Sequence, residues 1–192
     1  MAASNERSDW LATVAPALTV LVVFGLVVAV SGVWPPFVAV ESGSMEPHLE
    51  RGDLVYLTAS ERYAPESATA AGVVTRATAV DYRRLGGRGD VVVFAPPSRG
   101  GSPVIHRAQF HVERGENWYD EADADFLPAS VDGCDELAHC PAPHAGYVTK
   151  GDANPYYDQA GELAPVRPSW LRGKAQTAVP WVGHLRLALA GR

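Results

Sequence analysis

An uncharged apolar segment near the N-terminus most strongly constrains what this chain can fold into. No charged residue occurs from Leu11 to Trp34, and the centre of the segment is almost continuously apolar. As a helix, about 20 such residues cross a hydrocarbon core of roughly 30 Å. Trp10 and Trp34 flank the segment, as aromatic residues do at membrane interfaces. We therefore predict a transmembrane anchor over residues 10–34, preceded by a short tail over residues 1–9.

A cleavable signal peptide and a buried core helix are the alternatives for this segment. A signal peptide usually begins with positive charge and ends at small residues, whereas here Glu6 and Asp9 accompany Arg7. The segment also ends in Trp34-Pro35-Pro36, and proline terminates helices. We therefore predict that the anchor is retained. Residues 35–192 are then long enough to form a domain with its own core.

The domain is predicted to be mostly β and antiparallel, because short β-prone runs alternate with clusters of turn residues. These runs lie at residues 37–40, 54–57, 73–80, 91–94, 104–112 and 146–149. The Gly-Asp pairs at residues 52–53 and 89–90 are interpreted as turns. Residues 181–190 are too short for a second span, so an interfacial helix or a closing strand is expected. Trp170, Leu171 and Trp181 suit either the membrane interface or the core.

Residues able to support nucleophilic catalysis are spread along this domain. Ser44, His106 and two acids, Asp152 and Asp158, supply the hydroxyl, imidazole and carboxylate of a serine-hydrolase mechanism. Spacing alone does not bring them together, since such residues occur in nearly every protein. Lys150 is a rival base, because burial can drive a lysine neutral. The net charge of −6 argues against binding to nucleic acid.

Five motifs together are more specific than any single residue. They are Ser42-Gly43-Ser44-Met45-Glu46-Pro47, Gly52-Asp53, Gly89-Asp90-Val91-Val92-Val93-Phe94, Ile105-His106-Arg107 and Thr149-Lys150-Gly151-Asp152, the last followed by Asn154 and Asp158. Their order resembles that of the conserved boxes of type I signal peptidases, peptidase family S26. Bacterial members have lysine where this chain has His106. The resemblance is therefore to the archaeal and endoplasmic-reticulum (Sec11-like) Ser/His type.

The resemblance implies a role for each matching residue. Ser44 is the expected nucleophile and His106 the expected general base, with Asp158 or Asp152 orienting the imidazole. Ser42 is expected to bind the oxyanion together with the backbone N–H of Ser44. Lys150 falls in a later motif than the lysine of bacterial members. We therefore expect it to have a structural or charge-balancing role.

The implied activity is removal of signal peptides from exported precursors by a membrane-bound serine endopeptidase of the cell membrane, with its domain on the extracytoplasmic side. Val38, Val40 and Met45 are expected to contact the cleavage region of the substrate. The lipid bilayer and the protein translocation machinery are further candidate partners, and no cofactor is expected. The alternatives are a catalytically inactive binding or assembly protein on the same scaffold and a self-cleaving repressor-type protease. The latter uses lysine and is normally soluble, so the anchor and His106 oppose it.

The sequence distance between His106 and Asp152 is longer here than in the proteins that this chain resembles. We therefore predict that residues 113–145 are an acidic loop insertion. Cys134 and Cys140 are expected to form a disulfide in an extracytoplasmic domain. A metal site that adds His139 and His144 to these cysteines matches no standard zinc spacing. The acidic residues likewise fit no EF-hand, so no metal site is predicted.

Overall fold

A long N-terminal helix precedes the domain in the computed structural model, which describes residues 3–97, 99–189 and 191, with side chains described from Val14 onward. This helix, α1 (Ala3–Ser31), begins within the segment predicted as a tail. Its portion Val14–Ser31 is long and apolar enough to cross a membrane, and almost none of it is buried. Burial in a protein core therefore does not explain its composition. Trp34 is 72% exposed, and the side chain of Trp10 lies outside the described part.

The domain is built on a six-stranded antiparallel sheet, which confirms the predicted fold class. In chain order the strands are β1 (Phe37–Ala39), β2 (Leu54–Thr58), a separate hairpin of β3 (Arg83–Arg84) and β4 (Gly87–Arg88), β5 (Val91–Phe94), β6 (Val104–Val112), β7 (Gly146–Lys150) and β8 (Leu171–Val179). The spatial order in the sheet is β1-β2-β8-β5-β6-β7. A short helix, α2 (Gly183–Leu189), follows β8. Of the two alternatives for residues 181–190, the structure therefore contains the helix, because the preceding strand β8 ends at Val179.

The strand predicted over residues 73–80 is wrong. Val73 and Val74 are fully buried, but the segment forms turns and irregular structure. Its hydrogen bonds run to separate partners: the N–H of Val74 donates to the carboxylate of Asp90, and the N–H of Arg76 to the carbonyl of Ala108. Burial of apolar side chains explains the β-like composition here, since the segment forms no regular strand ladder with its neighbours.

A buried ion pair lies at the centre of the sheet, where β8 runs between β2 and β5. Lys174 on β8 is fully buried, 3.3 Å from Asp90, and donates to the carbonyl of Gly72. Tyr82 donates its hydroxyl proton to Asp90 at 2.7 Å, and burial together with that carboxylate raises the pKa of Tyr82 to about 12. Asp90, predicted as a turn residue, therefore connects β8 to two loops.

The acidic segment over residues 113–145 packs on the sheet with an apolar inner face. It contains three short 3-10 helices, and Trp118 is fully buried against Phe110 of β6. Leu127 and Leu137 join the same core. The sulfur atoms of Cys134 and Cys140 are bonded as a disulfide. The segment is therefore more than the solvated loop that its charge predicts.

Candidate active site

The loop that carries Ser44 is held from two sides. Met45 and Leu49, which follow Ser44, are buried in the core formed with β2 and β5. On the other side, the carbonyl of Ser44 accepts a hydrogen bond of 2.9 Å from the N–H of Ala153. A Cβ atom at Gly151 would lie 2.6 Å from that same carbonyl, so only glycine permits this approach. The loop that follows β7 therefore fixes the position of the serine.

His106 lies on β6 directly beside this loop. Its Nε2 atom is 3.0 Å from Ser44 Oγ, and its Nδ1 atom is 2.6 Å from Asp158 Oδ2. A carboxylate oxygen only accepts, so Nδ1 carries the imidazole proton and Nε2 accepts from the serine hydroxyl. His106 is 8% exposed, which limits competition from water. The three groups thus form one hydrogen-bonded line whose polarity suits proton transfer away from the serine.

Asp158 is itself fixed by its neighbours. Thr149 of β7 donates its hydroxyl proton to Asp158 Oδ2 at 2.7 Å. The adjacent Gln159 is fully buried and accepts from the N–H of Thr149 at 2.8 Å. Thr149 was part of a motif in the sequence, but no sequence signal assigned it this contact, because the contact depends on how the loop after β7 returns.

Asp152, the second acid considered for the same role, is bound elsewhere. Arg107 donates to both of its carboxylate oxygens, at 2.8 and 2.6 Å, and His48 Nδ1 donates at 2.8 Å. Burial raises the pKa of Asp152, but the hydrogen bonds and charge of Arg107, helped by His48, outweigh it and leave the pKa below its usual value. Of the two acids that the sequence left as alternatives, the one that contacts His106 is therefore Asp158.

Arg107, which sequence reasoning did not single out, is buried on β6 next to His106. Besides Asp152, its guanidinium donates to the carbonyls of Arg84, Leu85 and Gly89. Successive side chains on a strand point to opposite faces, so Arg107 ties the β3–β4 hairpin to the loop after β7 while His106 faces Ser44. Its role in the structure is to connect these loops behind the site.

Lys150, the rival base, has partners away from Ser44. Its Nζ atom donates to the carbonyls of Gly151 and Asn154 and lies 4.5 Å from the ring centre of Phe126. Burial lowers the pKa of Lys150, although the nearby charge of Asp152 opposes this shift. The two hydrogen bonds stabilise the loop whose Ala153 holds the Ser44 carbonyl, which is the structural role expected.

Ser42 lies beside the nucleophile candidate, with its Oγ atom 3.3 Å from Ser44 Oγ. Both serines open into a cleft of about 920 Å³ between β1 and the start of β6. Val38, Val40 and Met45 line this cleft, and Val40 and Met45 expose only 3% and 1% of their surface. Two of the three apolar side chains at the cleft floor are therefore almost completely covered.

Both walls of the cleft are strand edges. β1 is the outermost strand on its side of the sheet. On the opposite wall, pairing of β6 with β7 begins only at Arg107, so residues 104–106 extend past the end of β7. The walls touch where Ser102 Oγ donates to Glu41, 2.9 Å from each carboxylate oxygen. An extended peptide can hydrogen-bond to such edges.

A hydroxyl, an imidazole and a carboxylate in this order form the arrangement that serine hydrolases use. Comparison with known proteins identifies the family. Residues 9–108, more than half of the 192 residues, match the family described as signal peptidase, peptidase S26. The chain belongs to this family.

A curated relative extends the match towards the C-terminus. The chain is 31% identical over 159 residues to the signal peptidase complex catalytic subunit SEC11 of Schizophyllum commune. The aligned region covers 80% of this chain and 64% of the relative. The chain therefore spans less than two thirds of the length of that relative.

Proposed function

We propose that this protein is a membrane-anchored serine endopeptidase that removes signal peptides from exported precursor proteins. The observation that carries the proposal is the hydrogen-bonded line from Asp158 through His106 to Ser44, which opens into a cleft between two strand edges. Membership of the signal peptidase family supports the same reaction.

The reaction follows from the roles of these groups. Ser44 Oγ attacks the carbonyl carbon of the scissile bond while its proton passes to His106 Nε2, and Asp158 stabilises the resulting imidazolium. His106 then protonates the leaving nitrogen, which becomes the N-terminus of the mature protein. A water deprotonated by His106 hydrolyses the ester on Ser44 and releases the signal peptide. Ser42 Oγ and the N–H of Ser44 are the donors we assign to the oxyanion.

The substrate in this proposal binds as an added strand. The edge of β1 and residues 104–106 can each hydrogen-bond to its main chain, which provides affinity without regard to side chains. Selectivity comes from the floor of the cleft, where small side chains of the substrate pack against Val38, Val40 and Met45. Signal peptides carry small residues at their cleavage sites, so the cleft suits this class of substrate.

The anchor explains why the substrate is a membrane-inserted precursor. α1 ends at Ser31 and β1 begins at Phe37, so the cleft is tethered within a few residues of the helix end. We propose that α1 spans the cell membrane and that the domain lies on the extracytoplasmic side, where the Cys134–Cys140 disulfide is stable. The lipid bilayer and the translocation machinery are the partners expected there.

Processing of a secretory precursor in membranes tests the proposal. We compare wild type with Ser44→Ala, His106→Ala and Ser67→Ala, the last being a matched change at an exposed serine in a distant turn. Loss of at least about 10³-fold is expected for the first two variants, and none for the control. Wild-type rates in Ser44→Ala would exclude the mechanism and favour a catalytically inactive assembly protein.

A further inference from the structure

The outer edge of β1 offers its main-chain groups at alternate residues. Leu57 donates to the carbonyl of Pro36, and the N–H of Val40 donates to Asp53, so these two residues face β2. Because antiparallel strands alternate in this way, Phe37 and Ala39 direct their N–H and C=O groups towards the open edge. An added peptide strand would pair with these two residues in turn.

Arg186 already forms a hydrogen bond with one of the main-chain groups on the open edge of β1. α2 lies beside β1, and its Leu187 is buried, with 5% of its surface exposed. The preceding residue, Arg186, donates from Nη1 to the carbonyl of Phe37 at 2.6 Å. Both α2 residues line the same cleft as Ser44. The guanidinium therefore ends the usable edge of β1 on the side away from the serine.

We infer that Arg186 is a specificity-determining residue that sets the number of extended residues a precursor can have before its scissile bond. This inference rests on the proposed function. A fully extended chain rises about 3.3 Å per residue, so β1 and the residues that follow it up to Ser42 span at most roughly 16 Å, enough for about five extended residues of substrate. A peptide that extends beyond Phe37 cannot pair with its carbonyl, because Arg186 already donates to that group, so the peptide can no longer follow the sheet edge.

The end of the apolar helix of the substrate is a group that the guanidinium of Arg186 can bind. The apolar segment of a precursor is helical in lipid, because its backbone groups find no water there. The last carbonyls of a helix lack partners within it, and basic side chains stabilise them. A guanidinium has five N–H groups, of which one donates to Phe37, so others can bind carbonyls at the end of the substrate helix.

The test measures how cleavage depends on the length of the region between the apolar segment and the scissile bond. One precursor is made in versions with zero to four residues inserted there, and each is incubated with membranes that carry the full chain. The enzymes are wild type, Arg186→Ala, Arg186→Lys and Arg172→Ala, the last a control at an exposed arginine on β8. KM and kcat are determined separately for each length.

Wild type and Arg172→Ala should cleave the parent best and longer versions progressively less well. In Arg186→Ala, the version with two inserted residues should gain about fivefold to tenfold relative to the parent, because one more pair of residues can reach the sheet edge. The gain should lie in KM. Arg186→Lys, which keeps a cation near the same carbonyl, should retain the wild-type profile.

Identical length profiles in Arg186→Ala and wild type would overturn the inference while leaving the peptidase function intact. A uniform loss at every length would also overturn it, because it would indicate a general structural role for Arg186. If wild type cleaved none of the precursors, the proposed function and this inference would both fail.

Discussion

Separate replacement of Asp158 and Asp152 by asparagine tests whether the two acids divide chemistry from stability. Asp158 contacts the imidazole at 2.6 Å, so Asp158→Asn should act on the reaction. An amide can donate to Nδ1, which favours the tautomer that has its proton on Nε2 and cannot accept from Ser44. The expected result is a fall in kcat of about 10² to 10⁴-fold.

Asp152→Asn should act mainly on stability. It removes the charge that faces Arg107, whose side chain is 1% exposed and loses its bidentate partner. Breaking a buried ion pair on one side costs about 3 kcal/mol or more. For a chain of this size each kcal/mol lowers the thermal midpoint by roughly 2–4 °C, so a fall of about 6–12 °C is expected.

Both quantities are measured on each purified full-length variant in detergent, with precursor cleavage for kcat and thermal unfolding for the midpoint. The cleavage assay is run well below the lowest midpoint, so that unfolding does not imitate loss of catalysis. Loss of cleavage in Asp152→Asn that is still fully folded, or cleavage at the wild-type rate by Asp158→Asn, would contradict this division of roles.

Three further predictions concern the same framework. The pKa of Asp152 is lower in the folded protein than in the unfolded chain, so its carboxylate stabilises the fold above the unfolded pKa and this stabilisation is lost as the pH falls. In urea unfolding, the free energy of unfolding of wild type should therefore fall more steeply below about pH 4 than that of Asp152→Asn. Equal dependence on pH in the two proteins would contradict this. Gly151→Ala adds a Cβ 2.6 Å from the Ser44 carbonyl and should lower kcat more than tenfold, with unchanged kcat counting against the proposed loop geometry. Lys174→Met leaves the buried carboxylate of Asp90 without its cation and should cost about 3 kcal/mol in urea unfolding; a cost below about 1 kcal/mol would show that the ion pair contributes little.

Local sequence patterns predicted much of the fold because strands and the apolar helix each have their own signature. The β6 range of 104–112 agrees with the structure, and the run at 91–94 forms β5. The same signature failed at residues 73–80, because a buried loop also needs apolar side chains. It also gave no sign that β8 is central, since its residues include Lys174 and Gln176, and a buried lysine becomes acceptable only once Asp90 is beside it.

The sequence by itself determined the long apolar helix, the antiparallel β class and the residue types of the candidate site, because these depend on composition, periodicity and motif order. The division between the two acids was decided only by the tertiary structure. Asp152 and Asp158 are six positions apart in one loop, and nothing local distinguishes their carboxylates. The fold turns one towards Arg107 and the other towards His106, so their different surroundings come from β6 and not from their own segment.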